Sequence, residues 1–205
     1  MSERGFELAR LRKNDEVVVV EDGKEVLAYP EAQLPEYQTS HSAGADFFCA
    51  EEVTIQSIWR TVLGILSDWA FRRIKLEYTT DEECFSNEYR KDTLRRCLAP
   101  TLVHTGVKAF MGDDEVLELF NRSSNPLKRG LILANGVGVI DADYYNNKTN
   151  DGDIMFAFYN FLPWSVTIKA GERIGQGVFK KFLRPTVGLR IKDDERVSGL
   201  GSTDK

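Results

Sequence analysis

Short apolar runs, each closed by turn-forming residues, dominate the second half of the chain. VLELF, LIL, GVGVI, IMFAFYNF, SVTI and GQGVF follow one another between residues 116 and 179, with breaks at Asn125-Pro126, Asn150-Asp151-Gly152 and Ala170-Gly171. Runs of this length, rich in β-branched and aromatic residues, predict strands, and their number predicts an all-β barrel or sandwich. Nearer the amino terminus, EVVVVEDGKEVLAYP reads as a hairpin: residues 17–20 run out, Asp22-Gly23 turns, and residues 26–29 return.

One region departs from this period. Trp59, Val62, Leu63, Leu66, Trp69, Ala70 and Ile74 recur at helical spacing, the mark of an amphipathic helix. A second helix is predicted over residues 82–98, with Thr80 as cap, Glu83 in capping-box position and Pro100 beyond its end. Residues 57–99 therefore read as a helical insertion within a single domain spanning residues 1–205. The polar, Gly-containing stretch 185–205 reads as a mobile carboxy-terminal arm.

Composition narrows the function. Hydrophobic residues at 42% and charged residues at 29% are globular values, and no apolar run approaches the ~20 residues of a membrane helix. A net charge of −5 argues against a nucleic-acid-coating surface. The opening MSERGFELARLRK has no secretory apolar core. Cys49, Cys84 and Cys97 lack CxxC spacing, which fits a reducing cytoplasm and disfavours zinc; His41 and His104 are isolated. Arg122, Lys128, Arg129, Arg173 and Arg196 lie beside small or Gly-rich stretches, an arrangement suited to holding one compact anion.

The stretch LANGVGVIDADYYNN, residues 133–147, ends an apolar run in acids, tyrosines and asparagines. In an extended chain Asp141 and Asp143 point to the same face. Either that face is solvated, or the pair faces a site that handles protons or metal.

Five separated segments resolve the choice: SAGADF (42–47), RSS (122–124), NGVGVIDADY (135–144), GERIGQ (171–176) and RVSGLGST (196–203). In this order they resemble the five motifs of the trimeric dUTPase family, whose fold is a jelly-roll-like β-barrel. The resemblance implies hydrolysis of dUTP to dUMP and pyrophosphate, assisted by Mg²⁺, in a homotrimer with shared sites. It implies that Asp141 activates the attacking water, with Asp143 in support, and that Asp46 holds magnesium through water. Arg122, Ser123, Ser124 and Gln176 would contact phosphates, while Arg173 would hold structure through an ion pair. The hairpin from Asn135 to Ile140, with Gly136 and Gly138 permitting close backbone approach, would read uracil. Tyr144 would pack on the deoxyribose. Arg196, Gly201, Ser202 and Thr203 would close over the γ-phosphate, with Leu200 where the family usually carries the phenylalanine that covers the base. Tyr145, Asn146 and Asn147 have no role in that pattern.

Two rivals differ in kind. The related dCTP deaminase uses a glutamate in the strand after the aspartate motif, where this chain reads IMFAFYNF. A nucleotide-sensing interaction protein of the same fold would dock a protein partner through residues 57–99.

Overall fold

The computed structural model describes residues 3–20, 22–60, 62–64, 66–67 and 98–187. Strands form where the apolar runs predict them. VLELF lies in β8 (Glu115–Asn121), LIL is β9 (Leu131–Leu133), and GVGVI supplies β10 (Val137–Ile140). IMFAFYNF forms β11 (Met155–Asn160), SVTI forms β12 (Val166–Ile168), and the segment around GQGVF lies in β13 (Arg173–Lys181). The earlier strands are β1 (Gly5–Leu8), β2 (Arg12–Lys13), β3 (Glu16–Val17), β4 (Ala45–Phe48), β5 (Val53–Ile55), β6 (Thr101–His104) and β7 (Val107–Phe110).

These strands build a four-stranded sheet in the order β10-β8-β13-β4, a three-stranded sheet β6-β11-β9, and the pairs β1-β7, β12-β5 and β2-β3. Among the described residues no ladder closes on itself; the Ser57–Asn160 bridge and the Ile154 N–H donation to Val107 C=O link separate ladders, and side chains pack between the layers. Alternation explains that packing: β11 turns Phe156, Phe158 and Asn160 inward and its other residues outward. Phe156 meets Phe47 of β4 at a ring separation of 5.8 Å, joining the two larger sheets. Around this contact Leu117, Leu119, Leu131, Ile154, Ile168 and Ile174 form one core, each buried side chain stabilising the fold by about 1.5–3 kcal/mol.

The predicted hairpin around Asp22-Gly23 is present, with Val20 N–H donating to Lys24 C=O and Val26 N–H to Val18 C=O. A second turn precedes it. Asn14 and Asp15 both have positive φ (51° and 64°), joining β2 to β3, the backbone that tight two-residue hairpins require.

Of the predicted insertion, residues 58–60, 62–64 and 66–67 are helical. Ser57 Oγ accepts from Arg60 N–H, and Trp59 Nε1 donates to Phe161 C=O at 2.9 Å, tying the helix start to the end of β11. Trp69 and, apart from Leu98, the second predicted helix lie outside the described residues, as does most of the predicted arm. No helix among the described residues is long and apolar enough to cross a membrane.

Candidate active site

Strand pairing brings Asp46, Arg122, Arg173 and Gln176 together. β4 and β13 run antiparallel with Asp46 opposite Gln176. Gln176 Nε2 donates to Asp46 Oδ1 at 3.0 Å, and Arg173 NH1 donates to Asp46 Oδ2 at 3.1 Å and to Gln38 Oε1 at 2.8 Å. Arg122 Nε lies 3.8 Å from Asp46 Oδ1, and its NH1 donates to Arg173 C=O at 3.2 Å. Asp46 itself is 2% exposed. Two guanidinium groups around one carboxylate leave excess positive charge beside the exposed Gln176 and Ser123, which suits phosphate oxygens. The ion pair expected of Arg173 is present, with Asp46 as its partner.

Ser123 and Ser124 follow β8 and lead into a single π-helical turn, Asn125–Arg129, closed by Gly130 at φ 59°. Buried Asn125 pins this turn, its Nδ2 donating to Asn121 Oδ1 and Ile174 C=O, both at 2.7 Å. The loop carrying Ser123 and Ser124 is thereby fixed to both β8 and β13.

Asn135 lies in the turn between β9 and β10, Gly138 lies on β10 and Asp141 follows it. β9 pairs with β11 and β10 with β8, so the hairpin expected from Asn135 to Ile140 is instead a turn that carries the chain from one sheet to the other. The turn closes through Gly136 N–H donating to Leu133 C=O, with Gly136 at φ 70°. Gly138 faces Leu119 so closely that a Cβ there would lie 3.0 Å from the leucine Cβ. Asn135 is exposed at the tip. The chain is not extended through Asp143, which corrects the simple same-face argument. Asp141 follows β10 at φ −83°, ψ 160°, and Ala142–Tyr144 form a 3-10 turn. Turning the chain still leaves Asp141 and Asp143 lining one cleft, together with Asp113, Phe182 and Arg184. Sequence reasoning missed Asp113 and Arg184, because nothing local relates them to the acidic pair.

Tyr144 is 6% exposed. Its hydroxyl donates to Asp153 C=O at 2.9 Å and lies 2.9 Å from Asn150 Nδ2, so the ring has one fixed position.

Within one chain, Asp141 and the Asp46 cluster are apart. The pairing aligns Val137 with Phe120, Phe120 with Gln176, and Gln176 with Asp46. Two strand spacings, about 10 Å, separate β10 from β13. Asp141 lies four residues beyond Val137, about 13 Å further along the sheet. Consistent with that displacement, it shares its cleft with Phe182, six residues past Gln176. Arg196, Leu200, Gly201, Ser202 and Thr203 lie outside the described residues. No group of three or more His, Cys, Asp or Glu that could hold a metal directly occurs among the described residues.

The chain is similar to known proteins of one family. A family model described as dUTPase matches residues 89–203. A deoxyuridine 5'-triphosphate nucleotidohydrolase of Lactococcus lactis is 49% identical over 102 residues, covering 50% of this chain and 68% of that protein. One from Pseudomonas syringae is 33% identical over 113 residues, covering 55% of this chain and 71% of that protein. The crystal structure of dUTPase from Streptococcus mutans superposes with a TM-score of 0.55 at 35% identity, covering 88% of this chain and 98% of that one. With its mainly β jelly-roll-type architecture and the matched segment spanning four of the five motifs, the chain belongs to the dUTPase family.

Proposed function

We propose that the protein hydrolyses dUTP to dUMP and pyrophosphate, with Asp141 as the base that activates water. The attacking oxygen bonds to the α-phosphorus while Asp141 takes its proton. The bond from the α-phosphorus to the α,β-bridging oxygen breaks, and pyrophosphate departs with the electron pair. Family membership supports the overall reaction. The observation that carries the residue roles is the separation of Asp141, just past β10, from the basic cluster on Asp46.

That separation favours a shared site. A carboxylate from one protomer and the Arg122–Gln176 cluster from another would converge on one triphosphate, as a homotrimer allows. Ser123, Ser124 and Arg122 would bind phosphate oxygens. Backbone groups from Asn135 to Ile140 would read the uracil edge, because a mismatched base leaves their polar groups unpaired. Tyr144, with its hydroxyl engaged inside its own chain, would present its ring edge to the deoxyribose. Arg196, Gly201, Ser202 and Thr203 would close over the γ-phosphate.

Magnesium fits the acid set as a partner of the substrate rather than of the protein. Asp46 accepts one protein donor at each oxygen, and a carboxylate oxygen has a second acceptor position for water. Mg²⁺ keeps its waters and binds phosphates readily; bound there, it would neutralise charge on the triphosphate. A cytoplasmic setting is part of this reading and draws on the cysteine pattern.

Pyrophosphate release from dUTP, dTTP, dCTP and UTP, with and without Mg²⁺, tests the proposal. We expect dUTP-selective, metal-stimulated turnover that collapses in Asp141→Asn. Ammonia release from dCTP would instead indicate the deaminase, although β11 carries no acid.

A second reading, docking of a protein partner through residues 57–99, draws on the exposed Trp59, Leu63 and Leu66 at the helix start. Deleting the insertion and comparing turnover with partner capture separates it from the first.

A further inference from the structure

The segment after Asp141 is held by a buried charge cluster that the reaction itself does not use. Lys108 of β7 is 0% exposed and Asp151 is 1% exposed. Lys108 Nζ donates to Asp151 Oδ2 at 2.7 Å and to Asn146 Oδ1 at 2.5 Å. Asp151 also accepts from Arg10 N–H at 2.9 Å and from Arg12 Nε at 3.0 Å. Arg12 NH2 reaches Asn146 C=O at 3.4 Å. Glu7 approaches Lys108 at 3.8 Å and accepts from the Tyr145 hydroxyl at 2.8 Å. Burial by itself raises the Asp151 carboxyl, but Lys108, Arg10 N–H and Arg12 outweigh it and hold the group below the usual carboxylate range.

A continuous line of hydrogen bonds leads from this cluster to Asp141. Asp151 N–H donates to Asn147 C=O, Asn147 N–H to Tyr144 C=O, and Tyr144 N–H to Asp141 C=O. Asn147 Nδ2 also donates to Tyr144 C=O at 3.1 Å. Asn146 and Asp151 hold positive φ, 56° and 59°, a left-handed conformation that Asn and Asp adopt more readily than other non-glycine residues. Lys108 and Asp151 fall inside the matched family segment; Arg12, on β2, falls outside it.

We propose that Arg12, Lys108 and Asp151 are positioning residues for the reaction, and that the amino-terminal β2-β3 unit acts as a brace on the loop carrying Asp141 and Tyr144. The inference rests on the reading of Asp141 as the water-activating base. A base that must aim at one water tolerates little displacement, and a shift of about 1 Å originating far from the chemistry costs up to ~100-fold in rate. Asn146 and Asn147, left without a role by the motif pattern, become the links between brace and base.

The test uses the full chain and four variants: Arg12→Gln, Arg12→Lys, Asp151→Asn and, as reference, Asp141→Asn. Arg12→Gln is expected to fold, to lose about tenfold in kcat with KM for dUTP nearly unchanged, and to discriminate less well between dUTP and UTP. Arg12→Lys, which keeps a cation beside Asp151, should recover most of the loss. Asp151→Asn should show the larger effect; if it fails to fold, the Arg12 pair decides. A change confined to melting temperature, with kcat and the dUTP-to-UTP preference of Arg12→Gln intact, overturns the inference. Full turnover by Asp141→Asn in the same assay would instead overturn the assignment of the base.

Discussion

Gln176 stands directly opposite Asp46 across β13 and β4, and its side-chain amide donates to Asp46 Oδ1 at 3.0 Å. One buried carboxylate thereby orients Gln176 and Arg173 together, with Arg122 at 3.8 Å. Its first consequence is structural: the acid aligns the groups that would meet phosphate.

Asp46→Asn should therefore damage binding and stability together. The substitution removes the compensating charge between two guanidinium groups and offers Gln176 a weaker acceptor. The expected loss is about 1–3 kcal/mol in urea denaturation, with KM for dUTP raised and kcat less affected. Unchanged stability and KM would contradict the anchoring role.

Two inactive variants should complement each other. If each site draws Asp141 from one protomer and Arg122 from another, refolding Asp141→Asn with Arg122→Ala regenerates sites that carry neither change. Mixed samples should regain part of the wild-type turnover, while each variant refolded alone stays inactive. Absence of recovery in mixtures shown to exchange subunits would argue against shared sites.

Gly175→Ala should destabilise the core. A Cβ at Gly175 would lie 2.0 Å from Cε1 of the fully buried Phe156, where neither strand can move freely. Overpacking of this kind costs about 1–3 kcal/mol, and Phe156→Leu in the same chain should recover part of it. Thermal melting of the single and double variants checks both statements.

His104 should make stability depend on pH. Its Nδ1 lies 2.6 Å from Asp153 Oδ2, and this hydrogen bond raises the imidazole above its usual range despite partial burial. Burial likewise pushes the Asp153 carboxyl up against the pull of the histidine. A raised folded-state value means the folded protein favours the protonated ring. The contribution is full below the unfolded value of about 6.5 and is lost as pH rises through the higher folded value. His104→Gln should flatten the melting temperature over that window; equal slopes in both proteins would refute the assignment.

Local features were readable because their causes are local. Alternation in IMFAFYNF predicts β11 and its inward Phe156 and Phe158, and Asp22-Gly23 predicts its turn. The Asn14-Asp15 turn is legible in its residue types as well, and it joins β2 to β3 beside the later hairpin. Lys108 carried a signal too, as a lone cation in the otherwise apolar VKAF strand. Its partner Asp151, 43 residues away, read only as part of a turn.

The sequence by itself determined the strands, the turns and the motif order that places the chain in its family, since each depends on neighbours a few residues apart. Only the tertiary structure decided which motifs meet. Asp46 and Gln176, 130 residues apart, share a hydrogen bond because β4 and β13 are adjacent. Asp141 stands away from both because β8 lies between β10 and β13, and strand order is set by packing of the whole core rather than by any local pattern.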